Sequence, residues 1–151
     1  GIHLFFDTFE RKSMDLDNTD YLLAIARVEE ENLNLERAAK IYERIIELDE
    51  DCISAYDRLM IVYRKLKQLK KELYVIESAI KAFYRKGLEA NGYYIQNESD
   101  INSILIDIKS NRSMQIDDER LVKCAGLHIL FNYFYRYTMV SIKIRQGHFL
   151  K

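Results

Sequence analysis

Six residues between positions 22 and 45 are answered one period of 34 residues later: Leu22, Ile25, Ala26, Ala38, Tyr42 and Ile45 by Tyr56, Leu59, Met60, Glu72, Ile76 and Ala79. A period of that length belongs to stacked helical hairpins, in which each hairpin buries its apolar face only against its neighbour. The echo constrains architecture far more than chemistry. The 151-residue chain has no proline and five glycines, too few breakers and turn residues for a many-stranded protein. An all-α fold follows.

The local pattern places the helices. Between 19 and 32, Leu22, Leu23, Ile25, Ala26 and Val28 share one broad face, with Thr19 positioned to cap the first turn. Between 35 and 48, Ala38, Ile41, Tyr42, Ile45 and Leu48 recur at three- and four-residue spacings, with Glu36, Lys40, Glu43, Arg44 and Glu47 turned outward. The short break at Asn32, Leu33 and Asn34 makes these two helices antiparallel neighbours. A third helix begins with Ser54 as its cap and carries Tyr56, Leu59, Met60, Val62, Tyr63 and Leu66. A fourth runs over about 69–86 and ends at Gly87.

The motif Tyr56-x2-Leu59-Met60-x2-Tyr63, with Ala38-x3-Tyr42 and the acidic boundary Leu48-Asp49-Glu50-Asp51, resembles the tetratricopeptide repeat. The resemblance covers residues 19–87. Met60 stands where that family has a small residue, Glu29 where it has an aromatic and Glu72 where it has alanine, and the boundary proline is absent. The resemblance implies a short α-solenoid of two hairpins, with a helix at residues 4–12 as an N-terminal cap or the remnant of an earlier repeat. It also implies an inner groove lined by the first helix of each hairpin, which assigns Asp20, Leu23, Arg27 and Glu30 from one copy and Asp57, Arg58, Ile61, Arg64 and Lys65 from the next. Leu23, Arg27 and Arg58 do not reproduce the clamp that some members use for chaperone tails.

Beyond residue 87 the period fails, because Asn91-Gly92 falls inside the helix that the next copy requires. Residues 88–98 read as a connection and 99–109 as a short helix with Ile101, Ile104, Leu105 and Ile108 inward. Residues 110–116 form a second connection, and a long helix from 120 to about 146 is introduced by Asp117, Asp118 and Glu119 and closed by Gly147. That last segment is apolar on most of its circumference, through Leu127, Ile129, Leu130, Phe131, Tyr133, Phe134, Tyr135, Tyr137, Met139, Val140, Ile142 and Ile144. Such a helix belongs to a core, an oligomer interface or a membrane; His128, Asn132 and Arg136 weigh against the membrane. The density of β-branched and aromatic residues in 137–144 also permits a strand. The domain organisation expected is residues 1–87 as repeats and 88–151 as a C-terminal helical cap within the same domain.

Net charge is near zero only by cancellation between an acidic 1–50, a basic 51–87, an acidic 88–119 and a basic 120–151. Alternating blocks suit helix packing or the docking of a charged peptide, and they disfavour a nucleic-acid binder, which would be basic overall. Cys52 and Cys124 belong to no metal-spaced cluster and are expected as reduced thiols; the location expected is cytoplasmic. His3, His128 and His148 are scattered, and no nucleophile, phosphate-loop or dinucleotide motif is present, so no catalytic residue, metal or cofactor is assigned.

The consecutive carboxylates Glu29, Glu30 and Glu31 diverge around a helix and read as a solvated face. The basic group Arg64, Lys65, Lys67, Lys70 and Lys71 reads as a solubilising hairpin tip or a phosphate or acidic-peptide contact, and Tyr93 and Tyr94 as contact residues. The function expected is a non-enzymatic scaffold or adaptor that holds a peptide segment or a partner subunit, with homo-oligomerisation through the C-terminal helix as an accessory. The alternative is a regulatory fragment whose C-terminal aromatic and basic segment acts at a membrane or an oligomer interface.

Overall fold

Six helices and no strand make up the described residues of the computed structural model, which are 18–94 and 98–150, with side chains to 147. They are α1 (Thr19–Glu31), α2 (Leu35–Leu48), α3 (Ile53–Lys65), α4 (Leu69–Ala90), α5 (Glu98–Lys109) and α6 (Leu127–Leu150). The expected helix at residues 4–12 lies outside the described residues. The chain forms two compact units, Gly1–Lys67 and Gln68–Lys151. The division falls at the start of α4, inside the second hairpin of the sequence period.

The period is visible in the backbone itself. α1 and α3 begin 34 residues apart, as do α2 and α4, and all twelve echo positions are buried. The turn after α1 places Leu33 in the left-handed region at φ 63°, where its N–H donates to Glu30 O and that of Asn34 to Glu29 O. Lys67, one period later, adopts φ 59° and donates to Arg64 O. Two residues with side chains therefore take the conformation that glycine usually supplies at a helix end, because the paired hydrogen bonds close off the last helical carbonyls.

In the first unit α2 packs against both α1 and α3. Its core is Leu22, Ile25 and Ala26 of α1, Ala38, Tyr42 and Ile45 of α2, and Ala55, Tyr56, Leu59 and Met60 of α3. The helix caps differ from those expected. Asn18, not Thr19, caps α1, accepting from Tyr21 N at 3.2 Å. Ser54 is not the cap of α3, since that helix begins at Ile53 after Cys52, which makes no side-chain capping bond.

In the second unit α4 packs chiefly on α6, with α5 against both. The face of α6 that turns inward is Leu130, Tyr133, Phe134, Tyr137 and Val140, and Tyr133 stacks on Phe83 of α4 with ring centroids 5.8 Å apart. One face of this apolar helix thus packs in the core of the unit, and 137–144 is helical rather than extended. α5 turns Ile101, Ile104, Leu105 and Ile108 inward as the spacing predicts. No helix among the described residues is long and apolar enough to cross a membrane.

Three boundaries in this unit overturn the sequence reading. Gly87 does not end α4: it is buried inside the helix, beside the backbone of Ala125, whose N–H donates to Gly87 O at 3.0 Å. The helix ends instead at Asn91-Gly92, with Gly92 at φ 89° and bonds from Gly92 N to Glu89 O and Tyr93 N to Leu88 O. Residues 120–126 are not helical, because Gly126 adopts φ 72° and α6 starts only after it. Gly147 lies within α6 rather than closing it.

The connection before α6 is held by Arg120. Its guanidinium pairs with Asp118 at 2.7 Å and Asp107 of α5 at 2.9 Å and donates to Ser103 Oγ at 2.8 Å, while its carbonyl accepts from the Tyr84 hydroxyl at 2.8 Å. Hydrogen bonds from Arg120 hold the Asp118 carboxyl down at about 2, and burial pushes the Tyr84 phenol up to about 12.

Cys124 sits under the same connection, buried, and donates to Tyr84 O at 3.6 Å; burial pushes its thiol up to about 11. Cys52 is half-exposed at the head of α3. At pH 8 a thiol reagent is therefore expected to label Cys52 and to leave Cys124 unmodified until denaturant is added. Equal labelling rates in the native protein would contradict the burial.

Candidate functional site

The period-3.6 geometry of α1 puts Arg27, Glu30 and Glu31 on one face, and the seven-residue spacing in α3 does the same for Arg58 and Lys65. These five residues line a cleft of about 390 Å³ in the first unit. Four of them belong to the nine groove residues expected from the sequence. Asp20, Leu23, Asp57, Ile61 and Arg64 do not line it; Asp20 and Arg64 are exposed, and Leu23, Asp57 and Ile61 are half-buried.

Glu30 organises the floor. Its side chain is only 6% exposed, and its Oε1 accepts from the Tyr42 hydroxyl of α2 at 2.9 Å and from Arg58 Nε of α3 at 3.0 Å. Arg58 Nη2 donates to Oε2, so the guanidinium grips the carboxylate with two parallel bonds. Lys65 Nζ stands 3.8 Å from the same oxygen, within ion-pair range and beyond hydrogen-bond range. One carboxylate thereby joins the three described helices of the unit, α1, α2 and α3.

The electrostatics follow from that arrangement. Burial alone would raise the Glu30 pKa, but hydrogen bonds from Arg58 and Tyr42 and the charges of Arg58 and Lys65 outweigh it and hold the carboxyl below its ordinary value. Tyr42 is displaced upward, by burial and by its bond to the Glu30 anion. Arg58 is displaced upward chiefly by its hydrogen bond to Glu30.

The acidic run is not a solvated face. Glu29 and Glu30 are both buried, Glu29 within 3.7 Å of the Arg37 guanidinium, and only Glu31 is exposed. The angular divergence of consecutive residues is what separates them: one turns toward α2, the next toward α3, the third outward. The sequence reading missed two participants, Glu31 and Tyr42. Tyr42 carried a usable signal, since a tyrosine in a core slot needs an acceptor for its hydroxyl, and Glu30 is a charged residue within reach of the adjoining helix.

Replacing Tyr42 with phenylalanine removes one bond to a buried anion while keeping the ring. Such a bond contributes about 1.5–3 kcal/mol where the acceptor is charged. Tyr42→Phe is therefore expected to lower the urea-unfolding free energy by about 1.5 kcal/mol, and a change within error of zero would show that water replaces the hydroxyl.

The second unit has a less polar cleft of about 420 Å³, whose lining includes Ile108, Met114, Phe131, Phe134, Tyr135 and Thr138 together with Asn111, Arg112 and Ser113. Among the described residues no group of three or more His, Cys, Asp or Glu side chains is arranged to hold a metal ion. No protein-family model matches this chain, and no curated protein or solved structure matches it either.

Proposed function

We propose that the chain is a non-enzymatic protein-interaction module, a short solenoid of tetratricopeptide-like hairpins whose groove in the first unit binds a peptide segment of a partner protein. The observation that carries this reading is the charged cleft of Arg27, Glu30, Glu31, Arg58 and Lys65, with Arg58 fixed in place by a buried carboxylate. A guanidinium already ordered in the free protein pays little further entropy when a ligand arrives, and rigid helices present the remaining side chains at low cost.

The test is a display library of short peptides selected on the full chain. Selected peptides should lose binding to a variant carrying Arg27→Gln and Lys65→Gln, two exposed positions outside the apolar core. Peptides that bind the variant as well as the wild type would place recognition elsewhere on the molecule.

A further inference from the structure

The bonding within the cleft selects the sign of what can enter it. The two acceptor oxygens of Glu30 are committed, one to Tyr42 and Arg58 Nε and the other to Arg58 Nη2, with Lys65 beside it. A cationic ligand therefore meets one carboxylate already satisfied from inside the protein and a single open one, Glu31, set against three cations. An anionic ligand meets open donors. Because Arg58 spends Nε and Nη2 on Glu30, its Nη1 lies on the opposite edge of the planar guanidinium. Lys65, 49% exposed and 3.8 Å from Glu30, makes no hydrogen bond to it and keeps its N–H donors. Arg27 is exposed at the mouth.

The charge count narrows the ligand further. Three cations against Glu30 and Glu31 leave the lining with a net charge of about one positive unit. A single carboxylate neutralises it, whereas a dianion would leave excess negative charge beside Glu31. The volume, about 390 Å³, accommodates an acidic side chain with its hydration, and sits at the small end of ligand clefts.

We propose that this cleft takes one acidic side chain, Asp or Glu, of the partner segment, received by Arg58 Nη1, Lys65 and Arg27, with Glu30 as the positioning residue that aims Arg58 outward. The assignment rests on the peptide-binding reading above and gives that reading a sequence preference. Glu31 acts against the ligand, so its charge tunes affinity downward and shortens the residence of more highly charged segments.

The probes are four peptides added to the full chain, with the side-chain N–H signals of Arg27, Arg58 and Lys65 followed by NMR. They are hexaglutamate and hexaglutamine, both acetylated and amidated, hexaglutamine with a free C-terminus, and hexalysine. Capped hexaglutamate should move all three sets of signals saturably, and capped hexaglutamine and hexalysine should not. Arg27→Ala and Lys65→Ala should each weaken hexaglutamate binding roughly threefold, as expected for exposed charge pairs, and Glu31→Gln should strengthen it by a similar factor.

Four results would overturn the proposal. Capped hexaglutamine moving the same signals equally would mean that the cleft binds peptide without reading charge, which leaves the interaction module standing and removes the acidic side chain. Movement by the free-ended hexaglutamine alone would make the recognised group a chain terminus. Hexaglutamate binding with these signals unmoved, or no binding by any probe, would remove the site.

Discussion

Gly87→Ala should destabilise the protein by about 2 kcal/mol, although alanine is the better helix former. Gly87 lies inside α4, where alanine in place of glycine ordinarily gains up to ~1 kcal/mol. Its surroundings reverse the sign. A Cβ on Gly87 would collide with the backbone oxygen of Ala125 and with Cys124 Sγ, and would lie 3.2 Å from Ala125 N. A flexible side chain tip could swing away, but a carbonyl oxygen in a turn bonded back to Gly87 cannot move without breaking the bond from Ala125 N to Gly87 O. Overpacking of this kind costs about 1–3 kcal/mol or more.

Urea denaturation of Gly87→Ala, of Gly147→Ala and of the double variant Gly87→Ala, Cys124→Ala would check the argument. Gly147 is also helical and has open space around its Cα, so the same substitution there should be neutral or stabilising by up to ~1 kcal/mol. Removing the Cys124 sulfur should restore little, because the Ala125 carbonyl remains. A stabilising Gly87→Ala would mean that the connection before α6 does not sit against α4.

The second large effect belongs to Arg58→Ala. It leaves the Glu30 carboxylate buried, with the Tyr42 hydroxyl and the Lys65 ammonium as its remaining partners. Removing one partner of a fully buried ion pair costs ~3–5 kcal/mol. The Arg58 side chain is 36% exposed and water reaches the cleft side of Glu30, so the loss expected here is smaller, about 2 kcal/mol at pH 7.

The pH dependence of that loss is the sharper test. The Glu30 pKa is held below its unfolded value, so its contribution to stability is fully present above the ordinary carboxylate range. That contribution disappears as pH falls through the depressed folded-state value. In Arg58→Ala the depression is relieved, so the stability gap between wild type and variant should be largest at neutral pH and shrink as the carboxyl protonates in acid. A gap that stays constant from pH 7 to pH 3 would mean that Arg58 contributes through packing of its alkyl stem rather than through charge.

The cleft and the glycine contact show how differently the two halves of the chain were legible. In residues 18–90 the apolar spacing carried the answer. Leu22, Ile25 and Ala26 or Tyr56, Leu59 and Met60 share one face on a helix, and repetition after 34 residues placed each helix to within a residue or two of its start. The groove residues came from the resemblance to the tetratricopeptide repeat; of the nine it implies, Arg27, Glu30, Arg58 and Lys65 line one cleft and Asp20, Leu23, Asp57, Ile61 and Arg64 do not. What spacing could not supply was the partner of each charge. Glu30 looked like one carboxylate of an exposed run until Tyr42 and Arg58, 12 and 28 residues away, were brought to its two oxygens.

From residue 87 onward the helices were read correctly where burial alone sets them, as in α5, and wrongly where the setting of a glycine does. Gly87, Gly126 and Gly147 are indistinguishable as letters, yet one is a contact point, one a left-handed break and one an ordinary helical residue. The apolar circumference of α6 likewise left core, interface and membrane all open, and packing on α4 and α5 assigned one face of it, Leu130, Tyr133, Phe134, Tyr137 and Val140, to the core.

The sequence by itself determined that this protein is helical, the 34-residue spacing of its first four helices and most of the apolar residues they bury, because these depend on interactions between residues three or four apart and on a period printed in the chain. Only the tertiary structure decided that Glu30 is a buried anchor rather than a solvated charge, that Gly87 is a point of close contact with Ala125 and that Gly126 delays the start of the last helix. Each of these depends on an atom brought close from a distant part of the chain or on a backbone angle, and neither is encoded in local spacing.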